Sequence, residues 1–182
     1  MKKIALILLI SVSTISAQKR TIDTKSSIIN WTGKAAFSAY SLTGTLKTKE
    51  GYISIKNDSI RELFIIIDMK SLDHENADLK KHLRSKDFFE VKKYATATFE
   101  LKAPVNIGKN EFILKGTMKI KEKTFEESIN VIYNTEEAVL NFNSSLDRTK
   151  YGVTFNSPNF FKKLKQNAIA DEFQIKGKVV FN

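Results

Sequence analysis

The chain has 182 residues, which bounds it to about one domain, and its 42% hydrophobic and 27% charged residues are ample for a core with a solvated surface. A net charge of +10 admits nucleic acid, an anionic membrane or an acidic ligand, but the lysines are spread along the chain as on solvated strand faces, which argues against a nucleic-acid footprint. There is no cysteine, which excludes disulfides, thiolate metal sites, cysteine nucleophiles and an acylated lipoprotein cysteine. Two prolines and seven glycines leave little room for linkers. Thirteen phenylalanines are accounted for mostly by a Phe-rich β core, and a ligand cavity accounts only for a surplus.

The N-terminus reads as a secretory signal. Lys2 and Lys3 give the charged region, Ile4 to Ile10 the apolar core and Ala17 the cleavage edge, with Ser16 as the fallback. The apolar run is well short of the ~20 residues that span a bilayer. The expected division is a signal peptide over 1–17 and one domain over 18–182, exported to the periplasm or beyond. Cleavage removes Lys2, Lys3 and no acid, and lowers the net charge from +10 to +8.

Strands follow, predicted over Ile28 to Ala36, Leu42 to Lys47 and Tyr52 to Lys56, with a turn at Asn57-Asp58-Ser59. Glu62 to Met69 is nearly continuous apolar and reads as a strand covered on both faces. A helical segment is predicted over Asp73 to Val91. Leu79 and Leu83 share one of its faces, while Lys80, Lys81 and Arg84 point elsewhere. Asp87 and Glu90 have the spacing of a capping box, which predicts a second helical turn. From Ala95 the period becomes two: Ala95, Ala97, Phe99 and Leu101 line one face, and Thr96, Thr98, Glu100 and Lys102 the other.

The same period marks Phe112, Leu114, Gly116, Met118 and Ile120, then Phe125, Ile129, Val131 and Tyr133, a face that Glu127 interrupts. It returns in Ala138 to Leu146 and in Phe173 to Phe181. About eight short alternating strands with one buried face predict an all-β antiparallel barrel or sandwich. Gly44, Gly116 and Gly177 fall at inward positions of such strands, where glycine either relieves a sharp bend or leaves room for a ligand.

Several pieces, in order, resemble the signature of the YceI-like family of lipocalin-like, polyisoprenoid-binding secreted proteins. They are His82-Leu83-Arg84-Ser85 with Asp87-Phe88-Phe89, then Lys93-Tyr94 and Thr98-Phe99. Gly116 to Ile120 resembles the family's central strand, Asp147-Arg148-Thr149 with Tyr151-Gly152-Val153 its turn, and Ile169, Asp171 and the alternating tail its last strand. Two places depart from the pattern: Ala95 stands where the family has proline, and the hairpin after the central strand reads Glu122 to Glu126. The resemblance implies an extended antiparallel lipocalin-like β-barrel of about eight strands with one helical segment packed beside it. It also implies a periplasmic or secreted carrier of a long isoprenoid-like lipid in the lumen, with no cofactor and at most transient contact with a membrane surface. A barrel of this size holds one ligand or fills with side chains. The rival reading is therefore an interaction protein with a fully packed barrel, and behind it a lipid-modifying enzyme.

The candidate lumen residues are Phe88, Phe99, Leu114, Gly116, Met118, Val131 and Phe142, and the candidate headgroup contacts are Arg84 and Arg148. For both arginines the bland reading is favoured: a solvated basic face for Arg84 and a local turn ion pair with Asp147 for Arg148. His74 and Asp78 are four apart and could share a metal, but read better as solvated helix residues. His82 reads as helix packing or a polar contact at the barrel mouth. Adjacent carboxylates such as Glu126 and Glu127 point to opposite faces of a strand, a poor arrangement for acid–base work. Nothing resembles a nucleophile elbow or a phosphate loop, so no catalytic residue is assigned.

Overall fold

The computed structural model of the protein describes residues 18–108, 111–164 and 167–182. The predicted signal, residues 1–17, lies outside the described residues. The described elements are β1 (Gln18–Ala35), β2 (Ser41–Ile55), β3 (Ser59–Asp73), α1 (Ala77–Leu83), β4 (Thr96–Leu101), β5 (Val105–Asn106), β6 (Phe112–Ile120), β7 (Lys123–Asn134), β8 (Val139–Asp147) and β9 (Ile169–Phe181).

Eight strands close into an antiparallel barrel, in the order β1-β2-β3-β4-β6-β7-β8-β9, with β9 pairing back onto β1. Strand β5 adds a two-residue pairing at the start of β3. Closure satisfies both edges of every wall strand, so no long open edge is left to recruit another chain. The wall follows from the period-two pattern. Ala97 and Phe99, then Leu114, Gly116, Met118 and Ile120, then Ala138 to Leu146 at every second residue, are buried. Their neighbours face solvent. Strand β3 is the exception to expectation. Leu63, Ile65 and Met69 are buried inside, but Phe64 and Ile66 are only half-buried outside, because none of the described elements covers that face.

Strand boundaries also differ. Strand β1 begins at Gln18, ten residues before the predicted start, and the two predicted strands around Leu42 and Tyr52 are one long β2. Register shifts break their ladders, between Asp23 and Ile28 and again between Thr45 and Lys47. Such bulges interrupt the alternation that sequence reading follows. Serine hydroxyls mend the ladder near these places. Ser27 Oγ accepts from the Val180 N–H (2.9 Å) and Ser71 Oγ from the Lys47 N–H (2.8 Å). Where the β7–β8 pairing stops, Ser144 Oγ accepts from the Asn130 N–H (2.8 Å).

Two hairpins turn on pairs of residues with positive φ: Asn57-Asp58 (50° and 49°) and Lys121-Glu122 (48° and 64°). That is the type I′ signature, which matches the twist of the flanking strands. The first lies where predicted. The second lies one residue earlier and is much shorter than the predicted Glu122 to Glu126, since Lys123 already pairs with Ile120.

The helical segment is the largest correction. Asp73 ends β3, and α1 is only Ala77–Leu83. Its N-cap is Asn76, whose Oδ1 accepts from the Leu79 N–H at 2.9 Å. The predicted capping box at Asp87 does not form, because Glu90 adopts φ 47° and the chain coils through successive turns to Tyr94. Arg84 explains why the helix ends there. Its Nε donates to Leu72 O and its Nη2 to Lys70 O, both at 2.8 Å, which ties the segment to the end of β3. Phe88 is buried behind it, and Lys121 Nζ donates to Phe88 O at 2.7 Å from the β6–β7 hairpin. The segment therefore spans one end of the barrel.

Candidate functional site

The alternating faces converge on a lumen that side chains fill at one end only. Near the β2–β3 and β7–β8 turns, Ile53, Ile60, Val131, Ala138 and Phe181 pack the interior solid. Toward the end spanned by α1 the barrel encloses a cavity of about 330 Å³. Its floor is Leu63, Leu114, Ile129, Leu140 and Val179, and its walls include Trp31, Ile65, Ile67, Phe99, Met118, Phe142, Phe173 and Ile175. Leu79 and Leu83 of α1, with Phe88 and Phe89, form the roof. Phe88 packs against Phe155 (5.2 Å between ring centroids) and edge-on against His82 (5.0 Å), so the roof is clamped from above. Polar groups reach the cavity at its rim, at Lys34, Tyr40, Arg148 and Asn167. Trp31 carries a further polar atom: its indole N–H is buried with no acceptor among the described residues.

Of the candidate lumen residues, Phe88, Phe99, Leu114, Met118 and Phe142 line this cavity. Val131 does not. It is buried in the packed end, where it pairs with Phe142. Gly116 is not on the cavity surface either. A methyl group placed there would overlap the Phe99 ring and the carbonyl oxygen of Glu100, so Phe99 and the β4 backbone already fill the space. The same holds at Gly44, covered by Trp31 and Asp73 O, and at Gly177, covered by Ile28 O and Phe142. Neither expected role for these glycines describes them fully. Each lets an aromatic ring and a neighbouring backbone approach the strand closely.

Neither arginine presents a free fork to a ligand. Arg148 is 4% exposed, and all five of its N–H donors are engaged. Nε donates to Ala170 O, Nη1 to Val153 O and Phe155 O, and Nη2 to Ile169 O, at 2.8–3.0 Å, with a longer contact of 3.5 Å to Asp171. The expected pair with Asp147 is absent, since Asp147 Oδ1 accepts from the N–H and hydroxyl of Thr149. Arg148 therefore holds the β8–β9 connection to the start of β9. Arg84 does the same for α1, off the cavity surface.

His74 is buried rather than solvated. Its Nδ1 accepts from the Asn76 N–H at 2.9 Å and its ring lies 5.8 Å from Trp31. Among the described residues no group of three or more acidic or histidine side chains is placed to hold a metal. The interruption at Glu127 has a partner that no spacing disclosed. Tyr151, buried in the turn after β8, donates its hydroxyl to Glu127 Oε1 at 2.9 Å, and Lys150 pairs with the same oxygen at 3.3 Å. Burial first, then that hydrogen bond, push the Tyr151 phenol above its usual range. Glu126 faces the other way and pairs with Lys102.

The missed cavity residues, such as Trp31, Ile67 and Ile175, lie on the same inward faces as those named. What spacing could not give is the depth at which packing stops and the void begins.

Comparison with known proteins places this architecture. The chain is 30% identical to a UPF0312 protein of Vibrio cholerae over 112 residues, 60% of this chain and 59% of that protein. It is 34% identical to a UPF0312 protein of Staphylococcus epidermidis over 95 residues, 47% of this chain and 53% of that one. The match thus spans less than two thirds of either relative. BcnA of Burkholderia cenocepacia shares the fold at a TM-score of 0.70 and 20% identity, over 87% of this chain and 98% of BcnA. A polyisoprenoid binding domain from Saccharophagus degradans, implicated in plant cell wall breakdown, does so at 0.61 and 13%, over 90% and 97%. A Campylobacter jejuni YCEI protein superposes at 0.57 and 17%, over 100% and 99%. The YceI-like domain matches residues 21–181, nearly all of the barrel, and the chain belongs to the YceI-like family.

Proposed function

We propose that this protein is a non-enzymatic carrier that holds a long, isoprenoid-like lipid in the barrel lumen, exported to the periplasm or beyond after cleavage near Ala17. The observation that carries this reading is the cavity of about 330 Å³ walled almost wholly by apolar side chains. A void this large in a core costs on the order of 8 kcal/mol at ~24 cal/mol per Å³. Burying about ten methylenes recovers a similar amount, at ~0.8 kcal/mol each. Ordering the lipid chain subtracts several kcal/mol, so ten methylenes alone leave about 3–5 kcal/mol, roughly millimolar binding, and each further methylene enclosed adds ~0.8 kcal/mol. The lumen also lacks the packing that the interaction-protein reading requires. The fold shared with a polyisoprenoid binding domain supports the choice of an isoprenoid-like chain over other apolar ligands.

Mass spectrometry of organic extracts from protein purified out of its own host tests this. A stoichiometric long-chain lipid is expected. Protein that carries none and takes up none when isoprenoids are added would overturn the reading, and turnover of an added lipid would replace it with an enzyme. Intact mass of the exported protein, expected to begin at or beside Gln18, tests the export step.

A further inference from the structure

The end of the barrel that carries the cavity rim also carries four exposed aromatic rings. Phe37 (71% exposed) and Tyr40 (63%) lie in the β1–β2 connection, and Phe160 (58%) and Phe161 (49%) in the β8–β9 connection. The two connections are neighbours at their roots: Ala35 pairs with Ile169, and the Ala36 N–H donates to Ala168 O at 2.9 Å. Tyr40 belongs to the cavity wall and to this exposed set at once, so the patch is continuous with the mouth. Lys34, Lys162 and Lys163 stand among these rings, and none of them forms an ion pair among the described residues. The acid nearest to the mouth along β9, Asp171, is occupied by Arg148 and by Asn159 (2.7 Å).

Exposed phenylalanine and tyrosine interleaved with lysine is the composition that settles at a bilayer interface, rings among the headgroups and ammonium groups on anionic phosphates. We infer that this rim docks the barrel, mouth first, on an anionic phospholipid bilayer. A second copy of the chain fits the patch poorly, because a two-fold contact would bring its own three lysines against themselves. Docking gives the lumen its access: a long apolar lipid crosses from bilayer to cavity past Tyr40 without passing through water. That purpose rests on the proposed carrier function, but the docking itself is measured without it.

The experiment is flotation of the purified protein with vesicles of phosphatidylcholine alone and of phosphatidylcholine containing phosphatidylglycerol. Binding is expected to the anionic vesicles only and to weaken with added salt. Replacing Lys34, Lys162 and Lys163 with glutamine should reduce partition by roughly five-fold per lysine. Phe37→Ser with Phe160→Ser should also release the protein, while Ile113→Ser with Ile132→Ser, exposed positions toward the opposite end, should not. Thermal melts confirm that each variant is folded, and lipid delivered from detergent should load the variants at Lys162 with Lys163 and at Phe37 with Phe160, none of which lines the cavity, as it loads the wild type. Failure of loading in all of them would count against the carrier function and leave docking standing. Docking is overturned if the protein ignores anionic vesicles, binds neutral ones equally, floats unchanged with the rim substituted, or self-associates through Phe37 and Phe160 instead.

Discussion

At the scale of single residues, the side chains that matter most for integrity are polar and buried. Arg148 joins four backbone carbonyls that have no other side-chain donor among the described residues, in the connection between β8 and β9 and at the start of β9. Arg148→Met should therefore cost about 3–5 kcal/mol in denaturant unfolding, since it strands those acceptors and leaves Asp171 without its cation. Arg148→Lys keeps the charge but not the planar fork, and should recover only part of the loss. Tyr151 makes a pH-dependent contribution. Its proton is held more tightly in the folded chain than in the unfolded one. The stabilisation is intact below the ordinary tyrosine range, about pH 10, and is lost as pH rises beyond it, where only the unfolded chain releases the proton. Urea midpoints for Tyr151→Phe should accordingly fall less steeply than those of the wild type between about pH 9 and about pH 11. Equal slopes would mean that the phenol titrates freely.

At the scale of elements, two glycines in neighbouring contexts should respond oppositely. A methyl group at Gly116 meets the Phe99 ring and a backbone carbonyl that cannot retreat, whereas one at Gly33 meets nothing within 4 Å. Gly116→Ala is expected to destabilise by ~1–3 kcal/mol through forced shifts in β4. Gly33→Ala, in strand β1, is expected to be neutral or to stabilise by up to about 1 kcal/mol, because it restricts only the unfolded chain. Thermal melts of the two variants separate these outcomes, and equal behaviour would show that Phe99 is free to move. The roof illustrates a related point. Phe88 and Phe89 dock the irregular segment after α1 through a coil stapled by Arg84 and Lys121, in place of the expected second helical turn.

At the scale of the whole molecule, the unfilled end of the barrel is a property of the closed wall and of no one strand. Ala97, on β4, is one of the small side chains on the cavity surface, and it is buried in the wall. Ala97→Phe should place a ring in the void. Stability of the lipid-free protein is expected to hold or rise, since a cavity is being filled, while co-purified lipid falls sharply by mass spectrometry. A variant that folds normally and keeps its full lipid load would show that the ligand lies elsewhere. The same substitution in a solid core would destabilise by ~1–3 kcal/mol, so the sign of the change reports on the void itself.

The barrel was legible before the structure because alternation is a local property: in β4, β6, β8 and β9 each inward residue is two from the next, and closure follows from the number of such strands. The helix start was legible only in part, since Leu79 and Leu83 marked its face but the Asp87–Glu90 spacing mimicked a cap. What decides that segment is Arg84 bonding to carbonyls on β3, a partner twelve residues and more away. The long β1 and β2 were hidden by bulges that shift the alternation out of phase. For the site, sequence located the inward faces, and with them five of the seven candidate lumen residues now on the cavity surface. The exclusion of Val131 and Gly116, the engagement of Arg84 and Arg148, and the hollow above Leu114 and Leu140 depend on tertiary structure. Each is set by which chain segments meet across the closed barrel, and a void is the absence of such a meeting, which no residue type or spacing along one chain encodes.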